Sequence, residues 1–234
     1  MLWDVDYTLA DTDGVGRRLY EIALEELYGL EMPRLVRSMA GRTDSSIALE
    51  VLIAAGLPDP AAEVLRFQHV LAARAPELED LVRERGRPLP GAVAALAALA
   101  APAHADQVVQ SLLTGNIPAL ARVKLSGLGL TQHLDLSVGA YGDVSEIRAD
   151  LVPVAQRNAA ARYGADFAGQ ATVLVGDTPS DVAAATAHGA RSIAVATGSF
   201  STDQLVEAGA DVVLADLTDT AQVVSAVLAR ADVV

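Results

Sequence analysis

The chain opens with MLWDVDYTLADT (residues 1–12), in which a short apolar run meets two carboxylates, Asp4 and Asp6. Carboxylates this close repel each other unless a cation lies near them or their proton affinities differ. Ligands of open parallel sheets bind beyond the carboxyl ends of the strands. The stretch therefore predicts a strand that ends at a chemical site, provided that the rest of the chain supplies a parallel sheet.

The composition indicates one large domain, or one domain with an insert. The chain has 234 residues, of which 52% are apolar and 4% aromatic, with a net charge of −13 and no cysteine. The missing cysteines exclude disulfides and thiolate chemistry, and no basic face for nucleic acid is visible. No apolar run reaches the roughly 18 residues of a membrane span, and no signal peptide is recognisable. We therefore expect a cytoplasmic protein that binds neither nucleic acid nor membrane.

Short apolar runs recur along the chain and, in its second half, alternate with helical patterns. Such runs are typical of parallel strands that are buried on both faces by helices. The pattern predicts an α/β fold with a doubly wound parallel sheet and a Rossmann-like core. The predicted strands are residues 2–5, 107–113, 134–138, 172–175, 192–195 and 211–214.

One region interrupts this alternation. Residues 14–86 show apolar positions at helical spacing and no convincing strand, and the segment RERGRPLPG (residues 83–91) resembles a hinge rich in Pro, Gly and Arg. The sequence therefore predicts a helical cap domain over residues 14–86, inserted into a core formed by residues 1–13 and 87–234.

The loops after the predicted strands gather acids and potential anion ligands. Thr114 and Gly115 lie in LLTGN, Arg148 follows the third predicted strand, and Asp177 and Asp181 lie in GDTPSD. Oxygen-only ligands without thiols suit Mg²⁺. A threonine and glycine amides at a helix start suit an anion, and an arginine can balance the remaining charge. A metal, an anion cradle, a cation and a nucleophile together favour phosphoryl transfer.

These motifs resemble those of the haloacid dehalogenase-like superfamily. The family's first motif, D-x-D-x-T, is present as DVDYT, and its Thr or Ser after the second strand is Thr114. Arg148 stands where the family usually has Lys, and the final G-D-x-x-x-D is GDTPSD. The four motifs occur in order, and a helical insert after the first motif matches one type of cap in this family. The family and its phosphoglycolate phosphatase-like members are therefore expected.

The resemblance implies a role for each motif residue. Asp4 would be the nucleophile that forms an aspartyl-phosphate, and Asp6 the general acid and then base. Asp4, the backbone carbonyl of Asp6, Asp177 and Asp181 would bind Mg²⁺. Thr114, Gly115 and Arg148 would bind the phosphate. Thr114 and Asp181 have a second interpretation as simple helix N-caps.

The third motif leaves two open points. Lys124 lies within a predicted helix, about ten residues after Thr114, which is too early for the family's lysine. Arg148 is at a suitable distance, although Glu146 and Asp150 flank it and are possible partners. An arginine keeps the charge but donates through a planar fork.

The resemblance also narrows the reaction. Asp6 argues for phosphate esters over carbon–halogen bonds, and an insert without lysine argues against a Schiff-base phosphonate hydrolase. Arg42, in the loop GRTDSS, is a candidate for a second anionic group of the substrate, with a solvated surface arginine as the alternative. We expect a Mg²⁺-dependent phosphatase for small phosphorylated metabolites, as a monomer or homodimer. A β-phosphoglucomutase-like mutase is the alternative, and a non-catalytic phospho-acceptor is a third.

Overall fold

The sheet is parallel and has five strands. The computed structural model describes residues 1–229. The strands follow the order β4-β1-β5-β6-β7, which places the first strand between two strands that come later in the chain. Their bounds are β1 Leu2–Trp3, β4 Ser111–Leu112, β5 Val173–Gly176, β6 Arg191–Val195 and β7 Val212–Leu214. The predicted α/β class with a parallel sheet is confirmed.

Helices cover both faces of this sheet because the strands are apolar on both sides. Trp3 of β1 belongs to a core with helices α5, α6 and α10, whereas its neighbour Leu2 packs with α7 and α8. The helix α9 packs against β6 through Leu205. The bounds are α5 Ala92–Leu99, α6 Pro118–Gly127, α7 Leu151–Tyr163, α8 Pro179–Ala187, α9 Thr202–Glu207 and α10 Thr220–Leu228. Side chains that alternate between two apolar layers account for the continuous apolar runs of the sequence.

The strand predicted at residues 134–138 is wrong. Asp135 accepts hydrogen bonds from the amide and the hydroxyl of Ser137, at 2.9 and 2.5 Å, and these local bonds bend the backbone. The chain reaches the sheet only after this turn. There the carbonyl of Ala140 accepts a hydrogen bond from the Thr114 amide (3.1 Å), and the Ala140 amide donates to the carbonyl of Leu112 (3.0 Å). A single β-bridge beside β4 therefore replaces the expected strand.

In residues 15–85, which we call the helical insert, all regular secondary structure is helical. A short antiparallel ribbon at their base joins β2 (Ala10–Asp11) to β3 (Arg87–Pro88). Leu19, Tyr20, Phe67 and Leu71 belong to a separate apolar core. The helices are α1 Val15–Tyr28, α2 Asp44–Ala54, α3 Pro60–Arg74 and α4 Glu79–Arg85, with a 3₁₀ helix at Ala75–Leu78. Helix α4 was not predicted, since the Pro, Gly and Arg residues that follow it suggested a hinge.

No helix among residues 1–229 is long and apolar enough to cross a membrane.

Candidate active site

The chain turns sharply after β1 and exposes two carboxylates to one cavity. The Asp4 amide donates to Val175 of β5 at 2.8 Å, which keeps Asp4 in line with the sheet. The turn then closes through the amides of Leu9 and Ala10, which both donate to the carbonyl of Val5 at 3.0 Å. Tyr7 lies in this turn with a φ of 55°, a left-handed conformation that favours glycine. Asp4 is buried, whereas the side chain of Asp6 is 35% exposed and faces the cavity.

Three buried acids surround one arginine at the carboxyl ends of β1 and β5. Asp4, Asp177 and Asp181 each offer a carboxylate oxygen, and these oxygens lie within 4.8 Å of one another. The Arg148 guanidinium approaches Asp181 at 2.6 Å and Asp4 at 3.0 Å. Arg148 is therefore next to the candidate nucleophile. Its ion pairs involve neither Glu146 nor Asp150, and Asp150 instead accepts the Ser145 hydroxyl at 2.7 Å.

The charges in this cluster are not balanced by the protein alone. Burial raises the pKa of Asp4 to about 6 although Arg148 opposes the shift. Burial, reinforced by Asp4 and Asp181, raises the pKa of Asp177 to about 8. Burial would lower the pKa of Arg148, but Asp181 and Asp4 raise it above its ordinary value. Carboxylates held in this way favour an additional cation beside them.

The donor set fits Mg²⁺, with unequal contributions from the three acids. Its ligand atoms are all oxygens, as a hard divalent cation requires. Both oxygens of Asp181 already accept bonds, Oδ1 from Arg148 at 2.6 Å and Oδ2 from the Thr178 amide at 3.1 Å and hydroxyl at 2.7 Å. The Thr178 contacts form the capping box of α8. The N-cap of α8 is therefore Thr178, and Asp181, which the sequence offered as a possible N-cap, lies three residues later and completes the box. Asp4 and Asp177 are the better placed ligands.

A second polar network joins Asp6 to the loop after β4. Lys124 Nζ lies 2.7 Å from each carboxylate oxygen of Asp6 and 2.8 Å from Asn116 Oδ1. Asn116 Nδ2 donates to Asp6 Oδ2 and to Thr114 Oγ1, both at 2.8 Å. Thr114 is not the N-cap of α6, which is Ile117. Its hydroxyl is instead connected through Asn116 to the carboxylate of Asp6.

A cavity of about 380 Å³ lies between the sheet edge and the helical insert. Its lining includes the predicted site residues Asp4, Asp6, Arg42, Thr114, Gly115, Arg148 and Asp177. Asp181 contacts Arg148 behind this lining. The motifs that the sequence analysis combined thus meet at one place.

Arg42 lines the cavity, but its guanidinium is directed into the insert. Its Nη1 lies 2.7 Å from Glu50 Oε2, and its Nε and Nη2 donate to the hydroxyl and the carbonyl of Ser46, at 3.2 and 2.9 Å. Its side chain is only 13% exposed. Neither Arg42 interpretation from the sequence describes this arrangement, because the arginine is neither solvated nor available to an anion without breaking these contacts.

The start of α2 is bonded directly to the core beside the site. The Asp44 amide donates to Gly115 at 2.7 Å, and the Ser45 amide donates to Gly142 at 2.8 Å. A Cβ at Gly115 would overlap the carbonyl oxygen of Arg42, and one at Gly142 would overlap the carbonyl of Gly115. These glycines allow the insert and the core to touch through their backbones.

Asp44 itself is a buried carboxylate that sequence reasoning missed. Its Oδ2 accepts the amide of Ile117 at the start of α6, and its Oδ1 accepts the Tyr20 hydroxyl, both at 2.7 Å. Lys124 was considered and set aside as too early for the third motif. The signal that indicates its importance is its position on the buried face of α6, between Leu120 and Leu125, where a charge is unusual.

The comparisons with known proteins agree with this geometry. Residues 148–220, which include Arg148, Asp177 and Asp181, match the model of the HAD-hydrolase-like family, HAD standing for haloacid dehalogenase. This part of the chain is therefore similar to the haloacid dehalogenase-like family. A comparison with curated proteins finds no match.

Several solved structures are similar to this chain over nearly its whole length. A predicted phosphatase from Clostridium acetobutylicum is 16% identical, with a TM-score of 0.65 over 96% of this chain and 97% of that chain. CbbY from Rhodobacter sphaeroides, in complex with phosphate, is 21% identical, with a TM-score of 0.62 over 93% and 94% of the chains. A provisionally named β-phosphoglucomutase from Thermotoga maritima is 20% identical, with a TM-score of 0.58 over 97% and 98%. At these identities the structural likeness shows the fold alone, and the family model adds a similarity to hydrolases over residues 148–220.

Proposed function

We propose that the protein is a Mg²⁺-dependent phosphatase that hydrolyses small phosphorylated metabolites through an aspartyl-phosphate on Asp4. The observation that carries this proposal is the common cavity of Asp4, Asp6 and Arg148, with Asp177 beside them. It offers a nucleophile, an acid, a cation and metal ligands within one site, which phosphoryl transfer requires.

Each residue has a distinct task in this proposal. A carboxylate oxygen of Asp4 attacks phosphorus, while Arg148, which holds Asp4 at 3.0 Å, also neutralises charge on the phosphoryl oxygens. Asp6 protonates the leaving alcohol and later removes a proton from the water that hydrolyses the aspartyl-phosphate. Thr114 and the backbone of Gly115 bind the phosphate. Asp4, the carbonyl of Asp6 and Asp177 would hold Mg²⁺, with Asp181 fixing Arg148; the metal supplies further charge neutralisation when bound.

We further propose that residues 14–86 act as a cap over a core formed by residues 1–13 and 87–234. A cavity of about 380 Å³ beneath the insert suits a small substrate and limits the access of water. The net charge of −13 supports small metabolites over nucleic acid as substrates. A cytoplasmic monomer or homodimer remains our prediction.

A phosphomutase is the second candidate. It is favoured by the similarity of the fold to the provisionally named β-phosphoglucomutase and by the presence of both Asp4 and Asp6. A mutase that turns over a doubly phosphorylated intermediate needs a second anion site in the cavity. The Arg42 guanidinium, the predicted second site, is paired with Glu50 at 2.7 Å. This pairing supports hydrolysis over a mutase reaction.

The test is phosphate release from a panel of small phosphate esters, with Mg²⁺ and then with EDTA. Wild-type activity that needs Mg²⁺ and is lost in Asp4→Asn is the expected result. Asp216→Asn is the matched control, because it makes the same chemical change at a half-buried acid whose partner is Thr218, outside the cavity. Conversion of sugar phosphates between isomers without phosphate release would favour the mutase. No reaction of either kind would favour a binding role.

A further inference from the structure

Lys124 makes contacts that the proposed reaction, as described so far, does not use. Its ammonium group donates to both carboxylate oxygens of Asp6 at 2.7 Å and to Asn116 Oδ1 at 2.8 Å. Three donors therefore meet three acceptors at hydrogen-bond distance. The side chain of Lys124 is 4% exposed. Among residues 1–229, Lys124 is the only ion-pair partner of Asp6.

Packing does not explain a lysine at this position. Its neighbours on α6, Leu120, Val123 and Leu125, are buried and apolar, so Lys124 is a charge on an apolar face. A buried ion pair is often no more stabilising than apolar residues of similar volume. The presence of the lysine is therefore better explained by what it does to Asp6 than by the stability of the helix.

Asn116 holds the same carboxylate from a second direction. Its Nδ2 donates to Asp6 Oδ2 at 2.8 Å, and the same amide group is anchored on Thr114 Oγ1 at 2.8 Å. Asp6 thus receives hydrogen bonds from α6 and from the loop after β4, and rotation of its carboxylate would break bonds on either side. The two acids have different cationic partners, since Arg148 pairs with Asp4 and Lys124 with Asp6.

We propose that Lys124 is a positioning residue that acts through Asp6. With Asn116 it fixes Asp6 at the place where its protonated carboxyl group gives a proton to the leaving alcohol and, once ionised, takes a proton back from the attacking water. This inference rests on the proposed phosphatase function. It assigns Lys124 to proton transfer and leaves the binding of the phosphate to Arg148 and Thr114.

Lys124→Met tests the assignment, because it keeps the length of the side chain and removes the three donors. The measurement is kcat/KM for p-nitrophenyl phosphate and for an alkyl phosphate ester. An alkoxide leaves with difficulty unless it is protonated, whereas nitrophenolate leaves without help. A loss of general acid catalysis, typically about 10²–10⁴-fold, should therefore appear mainly with the alkyl ester. We expect kcat/KM to fall by a factor at least about tenfold larger for the alkyl ester than for the aryl ester.

Two controls separate positioning from general damage to the fold. Val123→Ala disturbs the same helix without touching Asp6 and should change both esters equally. Asp6→Asn should show the same preference for the aryl ester as Lys124→Met. In the Asp6→Asn background, adding Lys124→Met should change neither value of kcat/KM further, because the group on which it acts is already gone.

Equal losses with both esters in Lys124→Met, or a further loss in the double variant, would overturn the inference. If Lys124→Met does not fold, the double variant supplies the test, because it removes both partners of the ion pair and leaves no unpaired charge. A wild-type protein inactive on both esters would contradict the proposed function itself. An active wild type whose Lys124→Met variant loses both activities equally would contradict only the positioning role.

Discussion

Replacing Asp44 by Asn should change how the stability of the protein depends on pH. Asp44 is 4% exposed and accepts hydrogen bonds from Ile117 and Tyr20, both at 2.7 Å. Burial raises its pKa to about 6 although both hydrogen bonds oppose the shift. Asparagine can still accept the Ile117 amide. The Tyr20 hydroxyl can turn to the Asp44 carbonyl, which lies 3.2 Å away, and can accept the new amide group.

The sign of the effect follows from proton binding. Between pH 3.8 and about 6, folded Asp44 holds a proton that the unfolded chain has lost. Its contribution to stability is therefore fully present below pH 3.8 and is lost as the pH rises through about 6. The difference between a pKa of 3.8 and one of about 6, at about 1.4 kcal/mol per pH unit, gives about 3 kcal/mol over the whole window. The asparagine side chain of the variant does not titrate, so the variant should not show this loss.

The assay is urea unfolding of both proteins in EDTA, followed by circular dichroism. The pI is about 4.6, so the protein keeps a negative net charge in measurements from pH 5 upward. The difference between the two free energies of unfolding should change by roughly 1.5 kcal/mol between pH 5 and pH 8, which is about half of the whole effect. The stability of the Asn variant relative to the wild type should therefore increase as the pH rises.

Tyr20→Phe provides the matched variant. It removes a hydrogen bond that lowers the pKa of Asp44, so the pH-dependent loss of stability should extend to a higher pH than in the wild type. A constant difference between Asp44→Asn and the wild type across the range would refute the reasoning. It would mean that Asp44 ionises in the folded protein as easily as in the unfolded chain.

Three further predictions concern the cavity. Gly115→Ala should raise KM about tenfold or more and lower Tm, because the new Cβ would overlap the carbonyl of Arg42 and displace the insert; an unchanged KM would contradict this. Arg42→Met should lower Tm but change KM less than about threefold, since its guanidinium is paired with Glu50; a tenfold rise in KM would identify it as a substrate ligand. Arg148→Lys should lower kcat about 10²-fold while urea unfolding stays cooperative, because an ammonium group cannot reproduce the planar contact with Asp4; full activity would show that the charge alone suffices.

Much of the fold was predictable because its signals are local. Continuous apolar runs separated by helical patterns identified a parallel sheet buried on both faces, and four of the observed sheet strands after β1 lie at predicted positions. The strand prediction at residues 134–138 was wrong because the apolar pattern does not indicate that Asp135 would accept a hydrogen bond from Ser137 and turn the chain. Helix α4 was missed because its sequence runs into a segment of turn residues.

The candidate site also has features that the sequence predicted and features that only the tertiary structure revealed. The sequence by itself placed Asp4 and Asp177 together, because the carboxyl ends of parallel strands meet at one edge, whichever contacts the side chains make. It placed Arg148 with them only through the order of the motifs, since residues 134–138, predicted as the strand before it, form a turn. Only the tertiary structure showed that Lys124 forms an ion pair with Asp6 and that Arg42 forms one with Glu50. Such pairings depend on how one helix is rotated against another, and on which of several similar charges comes within about 3 Å. The order of the motifs along the chain therefore determined the chemistry, and the packing of the insert and α6 decided which charged groups are available to perform it.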